Sequence, residues 1–166
     1  MVPKGTNVGD FLRDDGTWAT PAGGSESDIS ARAYNSANIS IANATWTTLT
    51  LDSGRFDTAT IHSTSSNTGR LTATTAGKYI IVGNARFASN ATGQRMFRIY
   101  LNGTTEIGFL KLDATSSEIT FMVATIYDLS ATDYVELQSY QNSAGSLNVE
   151  AAANYSPEFM MAKVLG

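Results

Sequence analysis

The sequence predicts an all-β chain, a sandwich or barrel of about ten short antiparallel strands behind an extended N-terminal arm. Three observations carry that prediction. Charged residues fill only 16% of the 166 positions and apolar residues 42%, with 21 threonines, 17 serines and 11 asparagines taking up much of the rest; a helical bundle would be enriched in Leu, Glu and Lys instead. Short alternating runs recur between turn signals roughly 8–12 residues apart, the spacing of sandwiches and barrels. No 11-residue window carries a helical stripe, and no fixed-period repeat marks a propeller or solenoid.

The first break falls at Pro21-Ala22-Gly23-Gly24-Ser25. It divides an anchoring arm and linker, residues 1–24, from a head domain, residues 25–166. Five of the 14 glycines lie in the arm, which erases any strand or helix period there. Inside it, Asp14-Asp15-Gly16-Thr17 reads as a turn flanked by Phe11-Leu12 and Trp18.

The head opens with candidate strands at 29–34, 38–41, 47–51 and 71–74. Residues 78–87 alternate, with Tyr79, Ile81, Ala85 and Phe87 on one face and Asn84 and Arg86 on the other. Residues 94–101 set Phe97, Ile99 and Leu101 against Arg98 and Tyr100, and Asn102-Gly103 follows as a two-residue hairpin turn. Strands at 118–127 and 134–141 flank the polar turn Asp128-Leu129-Ser130-Ala131-Thr132-Asp133. Strands at 147–153 and 158–165 close the chain.

Two of these strands are apolar on both faces: Ile119-Thr120-Phe121-Met122-Val123-Ala124-Thr125-Ile126-Tyr127 and Phe159-Met160-Met161-Ala162-Lys163-Val164-Leu165. One face of a sandwich strand packs the core, and the other normally meets water. A second apolar face needs cover, which another copy of the chain supplies most simply. The interface candidates are Phe121, Met122, Ile126, Phe159, Met160 and Met161. Parity leaves open whether Phe121 and Val123 or Met122 and Ala124 face the partner.

Four segments, in order, resemble the complement and tumour-necrosis-factor-like family. Thr74-Thr75-Ala76-Gly77-Lys78-Tyr79 opens a strand similar to that family's small-residue–Gly-x-Tyr strand. Arg98-Ile99-Tyr100-Leu101-Asn102-Gly103 is similar to its Leu-x-x-Asn-Gly hairpin. Leu129 to Leu137 resembles Leu-x-x-Gly-Asp-x-Val-x-Leu, with Thr132 in place of Gly. Phe159-Met160-Met161-Ala162-Lys163-Val164 resembles the closing Phe-x-Gly-x-Leu-Leu strand, with Met161 in place of Gly. The resemblance spans roughly residues 28–166 and implies an antiparallel jelly-roll sandwich of ten strands, assembled as a homotrimer. The arm is similar to something else: Phe11-Leu12-Arg13-Asp14-Asp15-Gly16-Thr17-Trp18-Ala19 resembles the Phe-Leu-Arg-x-Asp-Gly-Thr-Trp-Ala motif of bacteriophage tail-fibre and other virion-surface proteins. That motif suits a docking clip, in which Phe11, Leu12 and Trp18 are apolar anchors and Arg13 pairs with a carboxylate of the virion partner.

Composition excludes several chemistries. Without cysteine there is no disulfide, thiolate zinc site, iron–sulfur cluster or cysteine nucleophile. A net charge of −4 argues against a nucleic-acid surface. No run of 18 apolar residues is present to cross a membrane, and the first residues lack the apolar stretch of a secretory signal. His62 is the one histidine and reads as a surface residue; no Gly-x-Ser-x-Gly elbow accompanies it. Asp10, Asp14 and Asp15 miss the calcium-loop spacing. The expected protein is therefore not an enzyme and carries no cofactor or metal. Glycan contact is expected, if anywhere, at Tyr100, Tyr134, Tyr140 and Tyr155 and the loops 63–69 and 142–146, because tyrosine joins an apolar ring to a polar tip. The expected function is that of a phage capsid decoration or short head-fibre protein on the virion surface, made in the bacterial cytoplasm. A fibre tip recognising host surface polysaccharide is the alternative.

Overall fold

The computed structural model describes residues 11–19 and 28–164. In the arm, β1 (Phe11–Leu12) and β2 (Trp18–Ala19) pair antiparallel, Leu12 opposite Trp18. Gly16 takes the left-handed φ of +80° that closes the hairpin, and Arg13 N–H donates to Thr17 O at 2.8 Å. Asp15 Oδ1 accepts the Thr17 hydroxyl at 2.6 Å and its N–H at 2.8 Å. These bonds, the hydroxyl's first, hold the Asp15 carboxyl below its ordinary range.

The head follows with β3 (Ser30–Tyr34), β4 (Ile39–Ile41), β5 (Thr47–Thr48), β6 (Ser53–Asp57), β7 (Arg70–Thr72), β8 (Gly77–Phe87) and β9 (Gln94–Leu101). Then come β10 (Thr105–Asp113), β11 (Ile119–Leu129), β12 (Tyr134–Gln141), β13 (Leu147–Val149) and β14 (Glu158–Lys163). Among the described residues there is no helix. One sheet has seven strands in the order β4-β13-β8-β14-β3-β6, with β11 along the other edge of β8; the second has five, β10-β9-β12-β5, with β7 beside β12. Every strand pair in both sheets is antiparallel. This is the expected sandwich.

Alternation builds the core. From β8 the residues Tyr79, Ile81, Ala85 and Phe87 point inward, from β9 Phe97, Ile99 and Leu101, and from β12 Val135 and Leu137; all are buried. Burial of each large apolar side chain stabilises the fold by about 1.5–3 kcal/mol. Phe87, Phe97 and Phe121 form one aromatic cluster across three strands, with centroids 4.8–6.0 Å apart. Gly83 continues the inward row of β8 without a side chain, because a Cβ there would lie 2.5 Å from the Leu137 methyl of the facing sheet. The Asn102-Gly103 turn forms as expected, both residues at positive φ and Thr104 N–H bonded to Leu101 O at 3.0 Å.

Two strands lie where the sequence marks none. β6 is a polar Ser-Gly-Arg-Phe-Asp run on a sheet edge, paired only along β3 with a register shift at Arg32/Ala33. β10 is an edge strand whose register breaks between Glu106 and Gly108, so its alternation slips by one residue midway. The expected strand 47–51 pairs only over β5; Leu49 and Leu51 are core residues outside the ladder.

The structure corrects the expected interface set. Phe121, Phe159 and Met161 are buried within the sandwich, whereas Met122 and Ile126 are 67% and 64% exposed and Met160 is half-buried on the open side. A strand apolar on both faces still sends one parity inward, and here the odd-numbered residues of β11 and β14 close the core.

Candidate functional site

Two open sheet faces, one cleft and the arm hairpin hold the candidate groups. On the seven-stranded sheet the register aligns Phe56, Arg32, Met160, Val82 and Ala124 in one row and Ala162, Ile80 and Ile126 in the next. Phe56, Ile80, Met122 and Ile126 are exposed. A groove of about 240 Å³ between Phe56, Ile80 and Met160 runs through this band. Ile80 and Val82 share the parity of Asn84 and Arg86, a sign already present in the sequence that this face is not uniformly polar.

One end of the same face is ionic. Glu158, buried, meets Arg32 Nε and lies 2.9 Å from Arg55 Nη2. Arg55 also stacks 3.9 Å from the centre of the Tyr34 ring. Both guanidiniums reach onward to the loop before β14, Arg32 to Asn154 O at 2.6 Å and Arg55 to Ala153 O at 3.2 Å. Beside them Arg86 Nε lies 2.9 Å from Glu150 Oε2, outside hydrogen-bond geometry, and Arg86 Nη1 donates to Tyr155 Oη at 3.1 Å.

The open face of the five-stranded sheet is built differently. The Arg98 guanidinium sits 4.2 Å from the Trp46 ring and 4.0 Å from the Tyr100 ring, and donates to Gln138 Oε1 at 2.9 and 2.7 Å. Trp46 tilts against Tyr140 at 5.4 Å. Arg70 lies 3.8 Å over the Tyr134 ring and pairs with Glu136 at 3.0 Å. Of the four expected glycan tyrosines, the structure gathers Tyr100, Tyr134 and Tyr140 on this sheet and leaves Tyr155 on the loop against the other.

At the Tyr134 end, the loop between β6 and β7 and the turn between β11 and β12 enclose a cleft of about 340 Å³, lined among others by Thr60, His62, Asn67, Arg70, Thr132 and Tyr134. His62 Nε2 donates to Thr68 O at 3.1 Å, because a carbonyl can only accept. Asp57 holds the loop by accepting N–H from Ile61 and His62 at 2.9 Å and from Ala59 at 3.1 Å. Burial pushes the Asp57 carboxyl up, but these backbone bonds outweigh it and leave it below its ordinary value. Sequence reading found Tyr134 and the 63–69 loop but not Thr60 or Arg70.

A second feature that sequence reading missed is Arg95. It points inward and is fully buried, and its guanidinium donates to the carbonyls of Asn90, Thr92 and Gln94 at 2.8–3.1 Å. Burial lowers its pKa from the ordinary arginine value.

In the arm, Leu12 and Trp18 are exposed on the hairpin at 43% and 38%. The Phe11 side chain and residues 1–10 and 20–27 lie outside the described residues, as do Leu165 and Gly166. Among the described residues no cluster of three His, Asp or Glu side chains could hold a metal ion.

Two antiparallel sheets of this order, packed around one buried core, make an all-β jelly-roll sandwich. Among solved structures the chain is similar to Eiger TNF from S. frugiperda, with a TM-score of 0.65 and 12% identity over 84% of this chain and 94% of that one. It is also similar to murine APRIL at pH 8.5 and at pH 5.0, each with a TM-score of 0.62 over 82% of this chain and 99% of that one, at 8% and 9% identity. At such identities the likeness is one of fold. No sequence family and no curated protein matches the chain.

Proposed function

We propose that the chain is a structural protein of a bacteriophage virion, a homotrimeric capsid decoration or short head-fibre protein whose N-terminal arm grips the particle. It works by adhesion rather than catalysis. The observation that carries the reading is the apolar band of Phe56, Ile80, Val82, Met122, Ile126 and Met160 on the open side of the seven-stranded sheet. Such a band is costly in water and is covered by copies of itself in a symmetric oligomer. Three copies, rather than two, follow from the resemblance to the tumour-necrosis-factor-like jelly rolls. The virion follows from the arm motif, whose turn forms a hairpin presenting Leu12 and Trp18. Three arms on one trimer raise apparent affinity through avidity.

Sedimentation equilibrium at micromolar concentration should give three times 17.7 kDa, and a monomer would overturn the trimer. Labelled chain imaged on virions should decorate the head; Trp18→Ala should weaken that decoration while leaving the melting temperature of the head unchanged. Decoration at full occupancy after removal of residues 1–24 would overturn the arm's role. A second reading, a fibre tip that recognises host surface polysaccharide, is favoured by the stacked Trp46, Tyr100, Tyr134 and Tyr140 face and predicts label at the tail tip instead.

A further inference from the structure

Seven non-glycine residues among those described hold a left-handed backbone, and three of them line one cleft: Thr60 at φ +57°, Asn67 at +49° and Thr132 at +75°. The two threonines are the β-branched members of the set, the side chains for which this conformation is least favourable. Strain of that kind persists only where the surroundings impose it, and it concentrates at binding sites. Here the surroundings do impose it. Thr132 N–H is bonded to Ala73 O at 2.8 Å, Ala73 N–H to Asp133 O at 2.8 Å, and Thr72 N–H to Ile61 O at 2.8 Å, while Asp57 ties down the Thr60 turn. Glycine, which the resembled pattern has at position 132, would take the same backbone without strain. A threonine there costs stability and gives a residue of the cleft wall a hydroxyl.

That hydroxyl and its neighbours are uncommitted. Among the described residues, no protein group bonds the side-chain hydroxyls of Thr60, Thr72 or Thr132 or the amide of Asn67, all on the cleft wall. The His62 ring gives its Nε2 hydrogen to Thr68 O, and Nδ1 has no protein partner among the described residues. Arg70 spends Nε on Glu136 and its plane on Tyr134, and its remaining N–H donors are available. At about 340 Å³ the cleft falls in the roughly 300–1,000 Å³ range of small-molecule sites.

The donor set identifies the ligand. An apolar molecule would leave these hydroxyls unmet. An anion would find Arg70 already neutralised by Glu136, with the Asp57 and Asp133 carboxylates close by in sequence to the cleft's own residues. Small donors and acceptors of both kinds beside one tyrosine ring suit a ring bearing many hydroxyls. We propose that this cleft binds a neutral saccharide unit. The inference deepens the second reading above by giving the polysaccharide its site, and it is independent of trimer formation and of where the arm docks.

The test titrates the intact protein with neutral oligosaccharides (maltotriose, mannotriose, chitotriose, lactose) and acidic ones (trigalacturonate, sialyllactose), by calorimetry and amide chemical shifts. At least one neutral sugar should bind saturably, with shifts confined to residues 60–72 and 130–134. Thr132→Gly should raise the melting temperature and weaken that sugar about tenfold, the loss of one good hydrogen bond. His62→Ala should weaken it as well. Undiminished binding by Thr132→Gly would overturn the cleft. Shifts confined to Trp46 and Tyr140 would overturn the cleft and leave the polysaccharide reading standing. Binding of the acidic sugars alone would overturn the neutral assignment, and no saturable binding by any sugar would overturn cleft and reading together.

Discussion

On the open side of the five-stranded sheet, Trp46, Tyr100 and Tyr134 each stack on a guanidinium, and Arg98 and Arg70 are in turn held by Gln138 and Glu136. On the open side of the seven-stranded sheet, Ile80 has Ala162 and Ile126 as its lateral neighbours, and Met160 has Val82 on one side and Arg32 on the other. The pleat is the same on both sheets and so is the two-residue period. One face sets its aromatic rings against its own guanidiniums and leaves Phe109 of the edge strand exposed opposite Arg98. The other sets apolar groups beside apolar groups and leaves Phe56, Ile80, Met122 and Ile126 exposed. Alternation thus identifies the residues that share a face, while the lateral pairs across strands decide whether that face is finished.

The hardest blow to this contrast is a charge placed in the apolar band. Met122→Lys with Ile126→Lys should convert the proposed trimer to a monomer of 17.7 kDa in sedimentation, since each ammonium buried unpaired in such an interface costs several kcal/mol and three copies act together. The monomer should keep its β circular dichroism. Next is the ionic end of the same face. Glu158→Ala leaves Arg32 and Arg55 unpaired and should cost about 2–3 kcal/mol in chemical denaturation. That is less than the roughly 3–5 expected for a wholly buried pair, because both arginines reach solvent. On the stacked face, Arg98→Ala should cost about 1–2 kcal/mol through its lost stacking and hydrogen bonds, with the sedimentation mass unchanged. A change of mass there would erase the distinction between the faces.

The smallest effect is expected at the loop that joins the edge strand β6 to the cleft. Asp57 has a folded-state pKa below its unfolded value of about 3.8. Its contribution is therefore fully present above that value and is lost as pH falls through the lower folded one. Amide exchange at Ile61 and His62 should accelerate on acidification across that window, and in Asp57→Asn the same amides should exchange without that pH dependence.

Much of the fold was legible in particular residues. The inward rows of β8, β9 and β12 follow from the two-residue period, and Asn102-Gly103 forms its turn because both positions take positive φ readily. β10 escaped because its register shift at Glu106/Gly108 breaks the alternation that would reveal it, and β6 because an edge strand needs no apolar face of its own. Of the cleft, Tyr134 and the 63–69 loop were visible as residue types. Arg70 looked like any surface arginine until its stacking partner was in place.

By itself the sequence determined the class of fold, the residues that share each strand face, and the arm's turn at Asp15-Gly16, because these depend on local period and local backbone preference. Only the tertiary structure decided which face of β11 and β14 turns inward. Both faces are apolar, so period two is silent, and the choice falls to packing: Phe121 fits against Phe87 and Phe97, and Met122 does not share their side of the sheet. The cleft was decided in the same way. Thr60 and Thr132 lie 72 positions apart in the chain, and their strained backbones come together only when β7 pairs with β12 and carries the two loops to one end.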